Sequence, residues 1–316
     1  IGHHLCMLYK KKKKINIIGV DNLDKRFDYK LKLDRLNELK KVDNFTFHKI
    51  DIANYNKIKK VFLNNHIDYV IHLAAKAGVR YSIYNPKLYV KSNIDGFFNI
   101  LDLSRTNNVK HFIFASSSSV YGKSNKFPQR ETDLTDKPES FYAATKKSNE
   151  LMAYSYSNIY NFPCTGLRFF TVYGNFVRQD MALHKFVSSI INKKIIDLYN
   201  RGDHYRDFTH VSDIVKIIDK LISQPSKKKI PYQIINLGGS RPSSLKNFIK
   251  NIEKSLRISA KVNLLDMQKG DVLKTHADTK KLKKIIKSYK FIELKKGIDN
   301  FVKWYKKYYK KNDKKK

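Results

Sequence analysis

The stretch Phe112-Ile113-Phe114-Ala115-Ser116-Ser117-Ser118-Ser119-Val120-Tyr121-Gly122 decides the fold class. Residues 112–116 form a short, largely apolar run of strand length that ends on Ser116, and three more hydroxyl side chains follow it directly. In an open parallel sheet, the carboxyl edge of a strand is where ligands bind. Read alone, the serines equally suit a polar turn. Similar apolar, β-branched runs recur at 15–20, 47–50, 69–73, 164–169 and 233–237. Between and after them lie helical patterns at 55–63, 87–103, 141–160, 181–191, 211–222, 245–256 and 294–309, several with apolar residues three and four apart. Strands alternating with helices predict an α/β protein, a Rossmann-like doubly wound parallel sheet with helices on both faces.

After about residue 170 the alternation loosens, and Gly174, Gly202 and Pro225 punctuate longer connections. The expected organisation is a nucleotide-binding domain over residues 1–170, to which the chain returns around 207–237. A smaller α/β substrate lobe with a basic tail covers most of 171–316, with a ligand cleft between the two. Residues beyond 309 read as disordered. The chain opens on Ile1 with residues that already read as a helix, so the first strand of the sheet is expected to be missing.

Composition narrows the function. The 316 residues are 41% hydrophobic, enough for a buried core. No apolar run approaches the roughly 18 to 20 residues of a membrane span, and no signal peptide is evident, so a cytoplasmic protein without a membrane partner is expected. Cys6 and Cys164 lack the spacing or neighbouring histidines of a zinc site, so no metal is expected. Lys+Arg 64 against Asp+Glu 28 gives +36. The lysines lie in runs at 10–14, 227–229 and 303–316, without a nucleic-acid-binding motif, so a general bias toward Lys, Asn, Ile and Tyr explains them. No nucleic-acid partner is expected, and the charge favours a polyanionic small ligand.

The second chemical signal is Tyr142-Ala143-Ala144-Thr145-Lys146. Four residues apart, the phenol and the amine share one helix face. A phenol with an ordinary pKa near 10 is a poor base at neutral pH, and a neighbouring ammonium stabilises the phenolate. The pair can therefore move a proton to and from a hydroxyl. The same spacing also describes a half-buried ring beneath a solvated amine. The upstream serine cluster favours the catalytic reading.

With these residues in hand, the chain resembles the extended short-chain dehydrogenase/reductases, and among them the nucleotide-sugar 4-epimerases that act on UDP-glucuronate. The resemblance runs nearly end to end. It rests on Ala74-Ala75-Lys76-Ala77-Gly78-Val79-Arg80, on Phe141-Tyr142-Ala143-Ala144-Thr145-Lys146-Lys147-Ser148-Asn149-Glu150-Leu151-Met152, and on Thr165-Gly166-Leu167-Arg168-Phe169-Phe170-Thr171-Val172-Tyr173-Gly174. Arg206-Asp207-Phe208-Thr209, Asn236-Leu237-Gly238, Met267-Gln268-Lys269-Gly270-Asp271-Val272 and Trp304-Tyr305 follow in order.

The resemblance implies Ser117, Tyr142 and Lys146 as the catalytic residues and NAD as the cofactor. Asp21 takes the acidic position that hydrogen-bonds the adenosine ribose and repels the extra phosphate of NADP. Gly2, Asn22, Asp51, Ile52, Leu73, Ala74, Ala75, Lys76, Asn93, Ser116 and Phe169 take further cofactor-lining positions, together with Tyr142 and Lys146. For the UDP-sugar the implied residues are Arg80, Ser117, Ser118, Ser119, Thr171, Arg178, Arg206 and Asp271, the arginines suiting phosphate or carboxylate by their planar fork. Two departures stand out. Ile1-Gly2-His3 keeps only the last glycine of the family's phosphate loop, and Asn175-Phe176-Val177 stands where the family has Pro-Trp-Gly. The implied reaction is inversion at C4 of UDP-glucuronate by a homodimer paired through helices 87–103 and 141–160. UDP-glucuronate decarboxylation, another UDP-hexose 4-epimerisation and an inactive basic binding protein are the alternatives.

Overall fold

The computed structural model describes all residues except 11, 13, 27, 28, 269, 270, 288 and 314–316, and side chains through 310. Parts of the lysine runs at 10–14 and 303–316, and Lys269-Gly270 of the 267–272 block, therefore lie outside the described residues.

The first half alternates as expected: α1 (Gly2–Tyr9), β1 (Ile17–Asp21), α2 (Tyr29–Leu39), β2 (Phe45–Lys49), α3 (Tyr55–Leu63), β3 (Tyr69–His72), α4 (Val79–Tyr84), α5 (Pro86–Tyr89) and α6 (Gly96–Thr106), then β4 (His111–Ser117), α7 (Phe141–Tyr160) and β5 (Cys164–Phe169). The second half adds β6 (Thr171–Tyr173), α8 (Ala182–Ile191), β7 (Ile195–Tyr199), β8 (Tyr205–His210), α9 (Val211–Ile222), β9 (Tyr232–Leu237), β10 (Pro242–Ser244), α10 (Leu245–Leu256), β11 (Lys261–Leu265), α11 (Lys280–Ile286) and α12 (Leu294–Asp313).

β3, β4, β5 and β9 form a four-stranded sheet in that order, every pair parallel, while β1 and β2 form a separate parallel ladder. β4 shows why the sheet is covered on both sides. Alternate side chains of a strand face opposite ways. Phe112 and Phe114 pack against α3, α6 and α7 through Ile58, Phe62, Phe97, Leu101 and Ala153. Ile113 joins the other face with Leu5 of α1, Ile214, Ile218 and Leu221 of α9, and Leu282 of α11. A third core lies outside this sheet, where α8, β7, α10 and α12 pack around Leu183, Val187, Leu198, Phe248, Ile252 and Phe301.

Three small features place the functional residues. Ser140 Oγ accepts from Ala143 N at 3.1 Å and starts α7 two residues before Tyr142. The helix expected over 87–103 is interrupted by a π-turn, Val90–Asp95, which turns Asn93 inward. α12 runs through Asp313, which corrects the expectation of disorder beyond 309 for residues 310–313; residues 314–316 lie outside the described residues. Its buried Ile298, Phe301, Val302 and Tyr305 recur at helical spacing and tie it to the third core.

Candidate active site

Parallel strands bring distant residues to one edge because every strand ends on the same side. Asp21 closes β1, Asp51 follows β2, Leu73 to Lys76 follow β3, Ser117 closes β4 and Phe169 closes β5. The four-stranded sheet therefore gathers on its carboxyl edge residues that are up to 96 positions apart in sequence (73 to 169), while Asp21 and Asp51 follow the strands of the separate β1–β2 ladder.

The candidate catalytic residues Ser117, Tyr142 and Lys146 sit at the end of β4 and the start of α7. A single 3₁₀ turn, Ser118–Tyr121, caps the strand, and Ser119 N donates to Ser117 Oγ at 3.2 Å. Ser117 Oγ in turn lies 3.1 Å from Ser119 Oγ. Gly122 ends the turn at φ 57, and a Cβ there would stand 2.3 Å from Lys137 O. Only glycine closes this turn without moving backbone. The first turn of α7 is held from behind, as Tyr142 N donates to Ser82 Oγ at 3.1 Å.

Burial raises the Tyr142 phenol above its ordinary value, and a hydrogen bond with Ser117 and the field of Arg178 pull it back. Lys146 is 2% exposed and its amine donates to Ala115 O at 2.8 Å. Burial lowers its pKa to about 8. The lowering of the phenol's pKa expected from Lys146 is thus not realised in the protein alone, where burial dominates and Ser117 is the group engaged with Tyr142. The buried ammonium also helps keep nearby His72 neutral, although burial of the imidazole is the larger cause.

The cofactor-side positions divide into free edges and structural joints. Asp21 is exposed and receives Leu23 N at 2.7 Å, and Asn22 receives Asp24 N at 3.1 Å. Lys76 forms an ion pair with Asp24. Asp51 accepts from Ala53 N at 3.1 Å. Ile52 is core, its carbonyl accepting from Asn99. Asn93 clamps the turn after β3, accepting from Lys76 N and donating to Lys76 O, and it also reaches Thr145 Oγ1 at 3.0 Å. Ser116 spends its hydroxyl on Glu150 Oε1 at 2.6 Å, so its side chain is a joint rather than a free ligand. Gly2 lies beside Leu73: a Cβ on it would stand 3.9 Å from Leu73 Cδ1.

On the substrate side three of the sequence-derived residues meet. Arg80 and Arg206 both approach the Asp271 carboxylate, at 3.5 and 3.7 Å, across 191 and 65 residues of chain. Arg80 also lies over the Tyr199 ring at 4.9 Å. Arg178 takes another place, paired with Asp180 at 3.0 Å and 3.5 Å from Ala77 O. In the departing segment before it, Phe176 adopts φ 57 and packs on Trp304 at 4.8 Å. Thr171 opens β6, opposite Phe208 of β8, and Ser118 is half-buried in the 3₁₀ turn.

Sequence reasoning missed the joint beneath these groups. Arg168 of β5 grips Glu150 of α7 with two bonds of 2.8 Å, both side chains being buried. Glu150 follows Lys146 by one helical turn, and that spacing was the available signal. Thr145, Asn149 and Ser82, which hold Asn93 and Tyr142 in place, carry no signal of their own.

A parallel sheet with a Ser-Tyr-Lys constellation at its carboxyl edge and an arginine pair beyond it defines a nucleotide-binding short-chain dehydrogenase/reductase-type enzyme. Residues 1–238 match the NAD dependent epimerase/dehydratase family, and the chain belongs to it. It is 45% identical to Protein CapI of Staphylococcus aureus, over 98% of this chain and 97% of that protein. It is 41% identical to a UDP-glucuronate 4-epimerase of Thermodesulfobacterium geofontis, over 91% and 88%. The solved UDP-glucuronic acid 4-epimerase of Bacillus cereus, in complex with UDP-glucuronic acid and NAD, superposes with a TM-score of 0.91 at 31% identity, covering 98% of this chain and 96% of that one.

Proposed function

We propose that this protein inverts C4 of UDP-glucuronate to give UDP-galacturonate, with NAD as its cofactor. The observation that carries the reading is the Tyr142–Ser117 contact with buried Lys146 on the same helix, in a chain that also brings Arg80, Arg206 and Asp271 together. The residues present fit NAD. The exposed carboxylate of Asp21 ends β1 where a ribose is recognised, and Asn93 fixes the backbone after β3 along the same edge. NAD held there would supply the hydride acceptor and donor that inversion at C4 needs.

Tyr142 accepts the proton of the C4 hydroxyl and later returns it, and Ser117 hydrogen-bonds the same oxygen. Lys146, cationic at neutral pH and on the same helix face, favours the phenolate once ligand surrounds the pair. The 4-keto sugar must present its other face, so the UDP portion has to stay anchored while the ring turns. We assign that anchoring to Arg80, Arg206 and Asp271, with Ser118, Ser119, Thr171 and Arg178 lining the approach. In this reading residues 1–170 hold the cofactor, and most of 171–316 holds the sugar nucleotide.

Among the described residues no helix is long and apolar enough to cross a membrane, and the reading places the reaction in the cytoplasm. It also includes a homodimer. Leu88 and Phe98, and Leu151, Tyr154 and Ile159 of α7, are 39–65% exposed, more apolar surface than two packed helices ordinarily leave to water.

The test is incubation of the protein with NAD and UDP-glucuronate, with products followed by NMR. UDP-galacturonate that disappears in Tyr142→Phe establishes the reading. Release of carbon dioxide with a UDP-pentose replaces it with decarboxylation.

A further inference from the structure

Asp207 is buried completely, at 0% exposure, and among the described residues no cationic side chain bonds to it. Its carboxylate accepts three backbone N–H groups instead: Gly239 N at 2.9 Å on Oδ1, and Ser240 N at 3.0 Å and Ala277 N at 2.9 Å on Oδ2. A buried carboxylate costs several kcal/mol unless it is this well supplied with donors. The donors come from two segments, the loop after β9 and the strap that runs from Asp271 toward α11. The same strap is stitched along β8: Tyr205 N donates to Leu273 O at 2.9 Å and Thr275 N to Tyr205 O at 3.0 Å. Asp207 N donates to Thr275 Oγ1 at 3.2 Å. Arg206 Nη1 donates to Leu273 O at 3.1 Å.

Successive residues of a strand face opposite ways. Arg206 therefore points toward Asp271 on one side of β8, while Asp207 grips the segment that carries Asp271 from the other. The two glycines of the loop are shaped to this carboxylate. A Cβ on Gly238 would stand 2.6 Å from Ala277 Cβ and 3.1 Å from Asp207 Oδ2, and one on Gly239 would stand 3.3 Å from Oδ1. Asp207, the loop that follows Asn236-Leu237-Gly238 and the strap that follows the 267–272 block thus meet at one carboxylate.

We infer that Asp207 is a positioning residue for the sugar nucleotide: by fastening the 271–277 strap to β8 it sets Arg206 and Asp271 at the spacing that holds the UDP moiety. The inference rests on the substrate reading above. Tyr142, Lys146 and Ser117 belong to α7 and β4, and none of them is among the groups bonded to Asp207.

Asp207→Asn keeps shape but replaces one acceptor by a donor facing a donor. The full-length protein should then show a KM for UDP-glucuronate and a Kd for UDP raised about tenfold or more. Its kcat should stay within about threefold and its NAD affinity should not change. In an Arg206→Ala background the same substitution should add little to the loss of UDP affinity, because residues acting through one another are not additive. Equal loss in both backgrounds, or a fall in kcat and NAD affinity together with UDP affinity, overturns the inference. Gly239→Ala presses the carboxylate without removing it and should raise KM in the same direction by a smaller factor. It is the variant to read if Asp207→Asn does not fold, and an unchanged KM there also overturns the inference. If wild type binds UDP and Arg206→Ala binds it equally well, the substrate reading has failed, a result separable from failure of the Asp207 inference.

Discussion

Replacing Lys146 by methionine should abolish turnover without destabilising the fold. The amine is 2% exposed, and burial alone lowers its pKa from 10.5 to about 8. At 1.36 kcal/mol per pH unit, holding the ammonium in that place costs the fold about 3 kcal/mol. The sign follows from linkage. The folded pKa lies below the unfolded one, so between them the unfolded chain binds more protons and stability rises with pH. The full cost is present below pH 8 and is relieved by about pH 10.5. Methionine carries no charge to desolvate and fills a similar volume, but it leaves Ala115 O without the donor now at 2.8 Å. That loss amounts to about 1–3 kcal/mol for a buried carbonyl. The two effects nearly offset, so Lys146→Met should be between unchanged and about 2 kcal/mol more stable at pH 7. Urea unfolding of wild type and variant at pH 7 and at pH 9.5 separates the terms. Other groups titrate alike in both proteins, so the difference between them isolates Lys146. It should shift by about 2 kcal/mol in favour of wild type on going to the higher pH. A variant that loses more than about 2 kcal/mol at pH 7, or a difference that ignores pH, refutes the argument that this ammonium is held against its desolvation cost.

Three further outcomes are expected. Glu150→Gln strands the Arg168 guanidinium, bonded twice at 2.8 Å in a buried site, and should cost about 3–5 kcal/mol in chemical denaturation, whereas Glu150→Leu with Arg168→Met should recover most of it. Gly122→Ala places a methyl against Lys137 O at φ 57, and should lower kcat through Ser117 as well as Tm by several degrees. Leu151→Glu, at a position 58% exposed, should leave monomer stability within about 0.5 kcal/mol while shifting the sedimentation of a dimer toward monomer.

What the sequence made legible is what local physics decides. The spans 55–63, 141–160, 211–222 and 245–256 appear in the structure with the same ends, each with a side chain from the preceding residue accepting from the first turn: Asn54, Ser140, His210 and Ser244. α2 escaped notice because Leu31, Leu36 and Leu39 are its only buried residues among lysines and polar groups. β7 and β11 are hard to read because they pair with each other across 66 residues: β7 alternates exposed and buried residues but carries the apolar Ile195 on its exposed side, and β11 is exposed along nearly its whole length, Val262 and Leu264 included. The apolar pattern of the 87–103 span is continuous and predicts one helix. The π-turn within it is enforced from outside, by Lys76, Thr145 and Asn149 bonding Asn93.

The candidate site divides the same way. Tyr142 and Lys146 stand four apart, and Ser117 ends a strand, so their conjunction could be read from the chain. The Arg80–Asp271 and Arg168–Glu150 pairs join segments 191 and 18 residues apart, and their geometry exists only once the sheet has stacked its strand ends. Ser116 shows the consequence. A hydroxyl at the right sequence position is drawn to a buried carboxylate one step inside the site, while its neighbour Ser117 faces the phenol. Alternation along β4 makes that division unavoidable: Ser116 faces Glu150, and Ser117 faces Tyr142, where the proposed reaction needs a hydroxyl. A Ser116→Ala variant should therefore lose stability by about 1 kcal/mol through the bond to Glu150, with little change in kcat. Ser117→Ala should do the reverse, and equal effects of the two on kcat would contradict the assignment.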